Sequence, residues 1–266
     1  MFFNIFKMRK FLLPLFFLLS LFSANAQHTK RLNKESVDST TTIVWMEANF
    51  SYQLPAGYLA ETFKGNFNIG TGFTYKTSQN WTWNLNFNYM FGSKLSCDLR
   101  DVLGPMVNSN GDILDGYGMK ATLGVEGRYW NLAAGFGKIF PVTAKMRNSG
   151  IWLQGNFGYL SHKIHFTDND HLIDQLDGDY RKGYDRRSAG FYMSQFIGYI
   201  YLGKVRVASF YGGIEIYEMW TVPTRNWNFV TGATSSAKKF SALFGVKIGW
   251  IIPLYEKKRT ETYYYH

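Results

Sequence analysis

Residues 81–91 read WTWNLNFNYMF. Trp81, Trp83, Leu85, Phe87, Tyr89 and Phe91 occupy every odd position, while Thr82, Asn84, Asn86 and Asn88 take the even ones up to Met90. Successive side chains on a β-strand point to opposite faces, so this stretch has one aromatic face and one amide face. The solvent that meets each face decides the fold.

The pattern recurs along the chain. Val44, Met46, Ala48, Phe50, Tyr52 and Leu54 alternate with Glu47, Asn49, Ser51 and Gln53. Phe67, Ile69, Phe73 and Tyr75 alternate with Asn66, Asn68, Gly70, Gly72 and Thr74. A fourth segment from about Met119 to Phe140 sets Ala121, Leu123, Val125 and Tyr129 against Glu126 and Arg128, and its phase slips near Trp130. Such a slip predicts a bulge or bend. Further segments follow at 151–166, 191–202, 205–220 and 240–255. Period-2 alternation on this scale is the strand signal, and no stretch reads as a long amphipathic helix. Eight strands are expected, or ten if the bent fourth segment splits. Connections after strands two, four and six are short. Those after one, three, five and seven are longer, notably 92–118, 167–190 and 221–238.

A soluble sandwich packs an aliphatic face inward and shows a polar face to water. Here 18% of residues are aromatic, crowded onto one face, and the other face is small, amide-rich and glycine-rich. A transmembrane barrel has that distribution, with apolar side chains against lipid and polar ones in the interior. Closure pairs the backbone groups that hydrocarbon leaves unsolvated. The expected fold is therefore an all-β, antiparallel up-and-down transmembrane barrel over 43–255. Its turns would be short and periplasmic, its long loops extracellular. A secreted lipocalin-like barrel is the alternative. Trp81, Trp83, Tyr89, Phe91 and Trp250 are expected in aromatic girdles, with Trp81 at the periplasmic level and Phe91 near the outer one.

The N-terminus supports export. Lys7, Arg9 and Lys10 precede FLLPLFFLLSLF and the small-residue site Ala24-Asn25-Ala26. This reads as a cleaved signal peptide over 1–26, with an uncleaved anchor as the alternative and Met8 as a possible true start. Residues 27–42 are a polar lead-in. The first 26 residues carry three of the 29 basic residues and none of the 19 acidic ones, leaving about +7. For an exported chain, that charge points to anionic lipid or polymer rather than nucleic acid. The single cysteine, Cys97, excludes an internal disulfide framework.

Eight strands enclose a lumen that side chains fill. Glu47, Glu126, Arg128, Glu215 and Lys247 fall on the polar phase, and charges in a narrow lipid-walled interior must pair. Glu47 and Lys247 are expected partners across the closing strands, and Arg128 is expected to bridge Glu126 and another carboxylate. Together they read as a structural salt-bridge plug.

With the signal, the eight alternating segments and the short turns in hand, the chain resembles small outer-membrane barrels of the OmpA/OmpX type over roughly 43–255. That resemblance implies the architecture and no activity. The chain departs from the proteobacterial pattern, in which the last strand ends on an aromatic residue at the terminus. Here Tyr255 is followed by EKKRTETYYYH. That ending and the Asn/Tyr-rich style resemble Bacteroidota outer-membrane proteins. Asp38-Ser39-Thr40 also resembles that phylum's O-glycosylation acceptor, at Ser39.

Candidate chemistry is sparse. Ser161 and His162 are sequence neighbours, so a strand points them to opposite faces and they cannot form a nucleophile–base pair. The loop carrying Asp168, Asp170, Asp174, Asp177, Asp179 and Asp185 also carries Arg181, Lys182, Arg186 and Arg187, and reads as self-neutralised. Its spacing does not fit an EF-hand. No catalytic residue, metal site or cofactor is expected. The tail Tyr263, Tyr264, Tyr265 and His266 lies beyond the last strand and suits docking to a partner protein. The expected function is a structural or adaptor barrel within a larger envelope or secretion assembly, in contact with outer-membrane lipid and lipopolysaccharide. A narrow porin and a rim enzyme are the rivals.

Overall fold

A computed structural model describes residues 42–144, 146–168, 173–203, 209–234 and 237–254. The expected signal segment, nearly all of the lead-in with Ser39, and the tail with Tyr263, Tyr264, Tyr265 and His266 lie outside the described residues. Eight strands form a closed barrel in sequence order: β1 (Ile43–Gly57), β2 (Asn66–Lys76), β3 (Trp81–Lys94), β4 (Gly124–Pro141), β5 (Gly150–Thr167), β6 (Ser188–Tyr201), β7 (Phe210–Pro223) and β8 (Lys239–Pro253). Every neighbouring pair is antiparallel, including β1 with β8. The fourth segment does not split.

The alternation holds across the sheet. In β1 the odd residues from Ile43 to Gln53 are buried and the even ones from Val44 to Leu54 are exposed. In β3, Trp81, Trp83, Leu85 and Phe87 are exposed while Thr82, Asn84, Asn86 and Asn88 are buried. The inward positions are the polar phase, so the fold is inside out relative to a soluble barrel. A wall of Phe, Trp, Ile and Leu faces outward, and only hydrocarbon solvates such a surface at no cost. The barrel is an integral protein of the bacterial outer membrane.

Lys138 and Arg128 bracket the apolar wall of β4, whose outward residues between them are Trp130, Leu132, Ala134 and Phe136. Ten residue steps at about 3.3 Å, tilted by about 40°, rise roughly 25 Å, the height of an outer-membrane apolar band. Lys138 Nζ lies 4.6 Å from the ring centroid of Trp81 at the short-turn end.

The predicted irregularity near Trp130 lies on the partner strand instead. Met90 pairs with Tyr129, and the next pair is Ser93 with Gly127, so Phe91 and Gly92 together oppose Arg128. Gly92 takes φ +74°, a left-handed conformation that glycine adopts without the Cβ penalty. Strand β4 itself keeps one phase, with Tyr129 buried and Trp130 exposed. Two short helices, α1 (Tyr58–Thr62) and α2 (Leu99–Leu103), lie in the loops at the long-loop end.

Candidate functional site: the sealed lumen and its charged rim

The lumen has three tiers. At the short-turn end, inward side chains of six strands form an apolar stopper containing Trp45, Ile139, Trp152, Phe196, Tyr211 and Ile251. Trp152 is its centre. Its ring meets Trp45 at 6.2 Å, Phe196 at 5.6 Å and Tyr211 at 5.2 Å, all edge-on, the geometry that aromatic quadrupoles prefer. Its indole N–H donates to Thr82 Oγ1 at 3.1 Å. Sequence reading missed this stopper. Trp45, Trp152, Phe196 and Tyr211 sit on the inward phase, which the surrounding residues mark as polar.

The middle tier is a lattice of amides and hydroxyls. Asn84, Asn86 and Gln154 each donate to Asn156 Oδ1, at 2.8, 3.2 and 3.0 Å, and Asn156 donates to Ser194 at 3.0 Å. Asn88 and Tyr192 both donate to Asn131 Oδ1, at 2.9 and 2.7 Å. The amides need room, which Gly70 and Gly72 on β2 provide. A Cβ on Gly70 would stand 1.9 Å from Asn88 Oδ1, and one on Gly72 2.4 Å from Asn86 Oδ1.

An ion pair lies in this lattice. Lys247 Nζ is 3.3 Å from Glu215 Oε2, and Glu215 Oε1 accepts from Ser51 Oγ and Gln53 Nε2, both at 2.6 Å. Asn68 and Asn66 support those two donors at 3.1 and 3.0 Å. The expected pairing of Lys247 with Glu47 is corrected. Register decides it: Lys247 opposes Ser51 across β1–β8 and Gly213 across β7–β8, placing it beside Glu215. Glu47 opposes Ile251 and accepts from Trp45 Nε1 at 3.2 Å and Tyr211 OH at 3.3 Å.

Glu126 and Arg128 are the larger correction. Both lie on the outer phase of β4, with Gly127 and Tyr129 turned inward. They do pair, Arg128 Nε and Nη2 each 2.8 Å from Glu126 Oε1, but on the outer wall rather than in the lumen. Continuing the polar phase of the Lys120–Arg128 segment placed them inside, whereas the bulge at Phe91–Gly92 lets β4 run on in a single phase.

The top tier is an apolar cap. Loop residues Leu59, Phe63, Val102, Leu103, Ile173 and Leu176 pack with inward Met90, Tyr129, Leu160, Tyr192 and Met219. An ion pair ties two long loops above it. Arg225 Nε donates to Asp185 Oδ1 at 2.8 Å, and Nη2 pairs with Oδ2. The hydrogen bonds it donates to Asp185 raise the pKa of Arg225. Sequence reading expected Asp185 to be neutralised within its own loop; its partner comes from the β7–β8 loop. Asp177 and Asp179 do find local partners in Arg181 and Lys182. Beside this tie, Tyr58, Arg186, Arg187, Arg225, Trp227 and Lys239 line a cavity of about 200 Å³. His162 is buried under Tyr129, ring centroids 5.5 Å apart, with Ser161 on the opposite phase of β5.

The structure places Trp81, Trp83 and Trp250 on the exposed outer wall. Tyr89 and Phe91 stack there at 6.2 Å, and Phe91 meets Phe67 at 6.3 Å. The wall has a polar interruption on β6 and β7. Glu218 lies between Ile216 and Trp220 on the outward phase of β7, opposite Met193, and Gln195 is the next outward residue on β6.

No protein-family profile and no curated protein matches the chain. Among solved structures, it is similar to Ail, the attachment invasion locus protein of Yersinia pestis, at 7% identity and TM-score 0.43, covering 80% of this chain and 99% of that one. It is also similar to Neisserial surface protein A, at 9% identity and TM-score 0.40, over 78% and 96% of the two chains. The outer-membrane protein OprG of Pseudomonas aeruginosa gives 10% identity and TM-score 0.36, over 82% and 99%.

Proposed function

We propose that this chain is a non-conducting, non-enzymatic barrel that anchors a larger envelope or secretion assembly in the outer membrane. The observation that carries this reading is the double seal. The lumen is stoppered by the Trp152 cluster at one end and capped by apolar loop residues at the other. A porin needs a wetted path, which these tiers interrupt. The work of the protein is then done on its surfaces. Glu218 and Gln195 support a lateral partner, because polar groups on a lipid-facing wall cost free energy unless something meets them. The tail Tyr263–His266 is a second docking element in this proposal. In this proposal the source is Bacteroidota, supported by the Asn/Tyr-rich strands and by Asp38-Ser39-Thr40, with Ser39 as glycan acceptor.

The test is purification from native outer membranes in mild detergent, comparing the full chain, a chain truncated after Tyr255, and Glu218→Leu. Partners that leave with the tail or with Glu218 support the anchor. Three forms that purify alone while the wild type conducts ions in planar bilayers would replace it with the porin.

A further inference from the structure

At the upper end of the outer wall, the chemistry changes abruptly on two adjacent strands. Trp130 and Tyr159 are in contact, ring centroids 5.9 Å apart, and both face lipid. The next outward residue on β4 is Arg128; on β5, Ser161 and then Lys163 follow. Arg128 and Lys163 are directly opposed across the β4–β5 pair. Like charges in that position repel. Arg187, at the end of the β5–β6 loop, reaches the same place and donates from Nε to Ser161 Oγ at 3.4 Å. These side chains line a crevice of about 340 Å³ together with Tyr89 and Trp130. Glu126 pairs with Arg128 and lies near His165, another lining residue, while among the described residues the side chains of Lys163 and Arg187 form no salt bridge.

The height of the crevice identifies what covers it. Arg128 is one outward position above the last aromatic residue of a band that rises about 25 Å. Acyl chains end there and headgroups begin. We infer that Arg128, Lys163 and Arg187 form a seat for a phosphate group carried on the sugar headgroup of an outer-leaflet saccharolipid, with Trp130 and Tyr89 against its proximal chain. The inference rests on the membrane reading above and adds to it a specific site. The guanidinium of Arg187 presents a planar fork suited to phosphate oxygens, and Lys163 adds a point charge. A phosphate also offsets the repulsion between Arg128 and Lys163, two cations that face each other at the upper edge of the wall.

The experiment uses the full chain folded in nonionic detergent. It follows unfolding temperature against three probes: bisphosphorylated lipid A, the same lipid stripped of phosphate, and inorganic phosphate. The expected result is stabilisation by phosphorylated lipid A alone. Lys163→Gln/Arg187→Gln should bind it roughly thirtyfold more weakly, since each interfacial cation contributes about fivefold. Both positions are on the outer surface, so heat-modifiable gel mobility should show the double variant folded. Equal stabilisation by the dephosphorylated lipid, or an unchanged response in the double variant, overturns the seat. An equal response to inorganic phosphate overturns the lipid as its source. Failure of the wild type to insert into phosphatidylcholine vesicles would instead overturn the membrane reading.

Discussion

Replacing Lys247 by Met tests whether the lumen is held by one paired charge within a hydrogen-bonded lattice. The side chain of Glu215 is 2% exposed and that of Lys247 10%. Removing one member of such a pair costs about 3–5 kcal/mol, because the other charge stays buried. Glu215 keeps the hydrogen bonds from Ser51 and Gln53, and charge-assisted bonds of this kind contribute about 1.5–3 kcal/mol each. The loss should therefore fall at the low end, about 3 kcal/mol. Lys247→Met/Glu215→Gln should recover to within about 1 kcal/mol of wild type, because the new amide oxygen still accepts from Ser51 and Gln53 while neither member of the pair carries a charge. The assay is urea unfolding of the barrel in lipid vesicles, followed by tryptophan emission and by electrophoretic mobility of the folded form. A single variant within 1 kcal/mol of wild type, or a double variant no better than the single, would refute the reasoning.

Trp152→Ala removes the ring shared by Trp45, Phe196 and Tyr211 and should cost about 3–5 kcal/mol in the same assay; with the loop cap still in place, planar-bilayer recordings should stay silent. Gly92→Ala forces a Cβ into a left-handed conformation and should cost about 1–2 kcal/mol, whereas alanine at the exposed Ala134 position of β4 is already native and marks the tolerated geometry. Arg225→Gln releases Asp185 and should speed protease cleavage between residues 168 and 187 on intact cells, with the barrel itself remaining resistant. Partial burial, reinforced by Asp101, raises the Cys97 thiol above its ordinary pKa. Less thiolate is present at neutral pH, so maleimide labelling should be slower than for an exposed cysteine, and faster in Asp101→Asn.

The face alternation was legible before any coordinates, because a strand's period is a local property and each side chain reports the solvent it needs. WTWNLNFNYMF alone assigns lipid to one face and a filled interior to the other. Chain order and loop lengths added the up-and-down topology and its orientation. Which inward residues meet was not legible. Lys247 pairs with Glu215 rather than Glu47 because the relative stagger of β1, β7 and β8 sets their heights, and no segment read alone contains that stagger. Glu126 and Arg128 moved from the lumen to the outer wall for a related reason: the bulge sits in β3, so the phase of β4 depends on its neighbour. The aromatic stopper followed the same logic, since Trp45, Trp152, Phe196 and Tyr211 come from four strands and become a plug only when closure brings them together. Sequence determined which solvent each face meets; closure and register, which are long-range, decided which side chains touch.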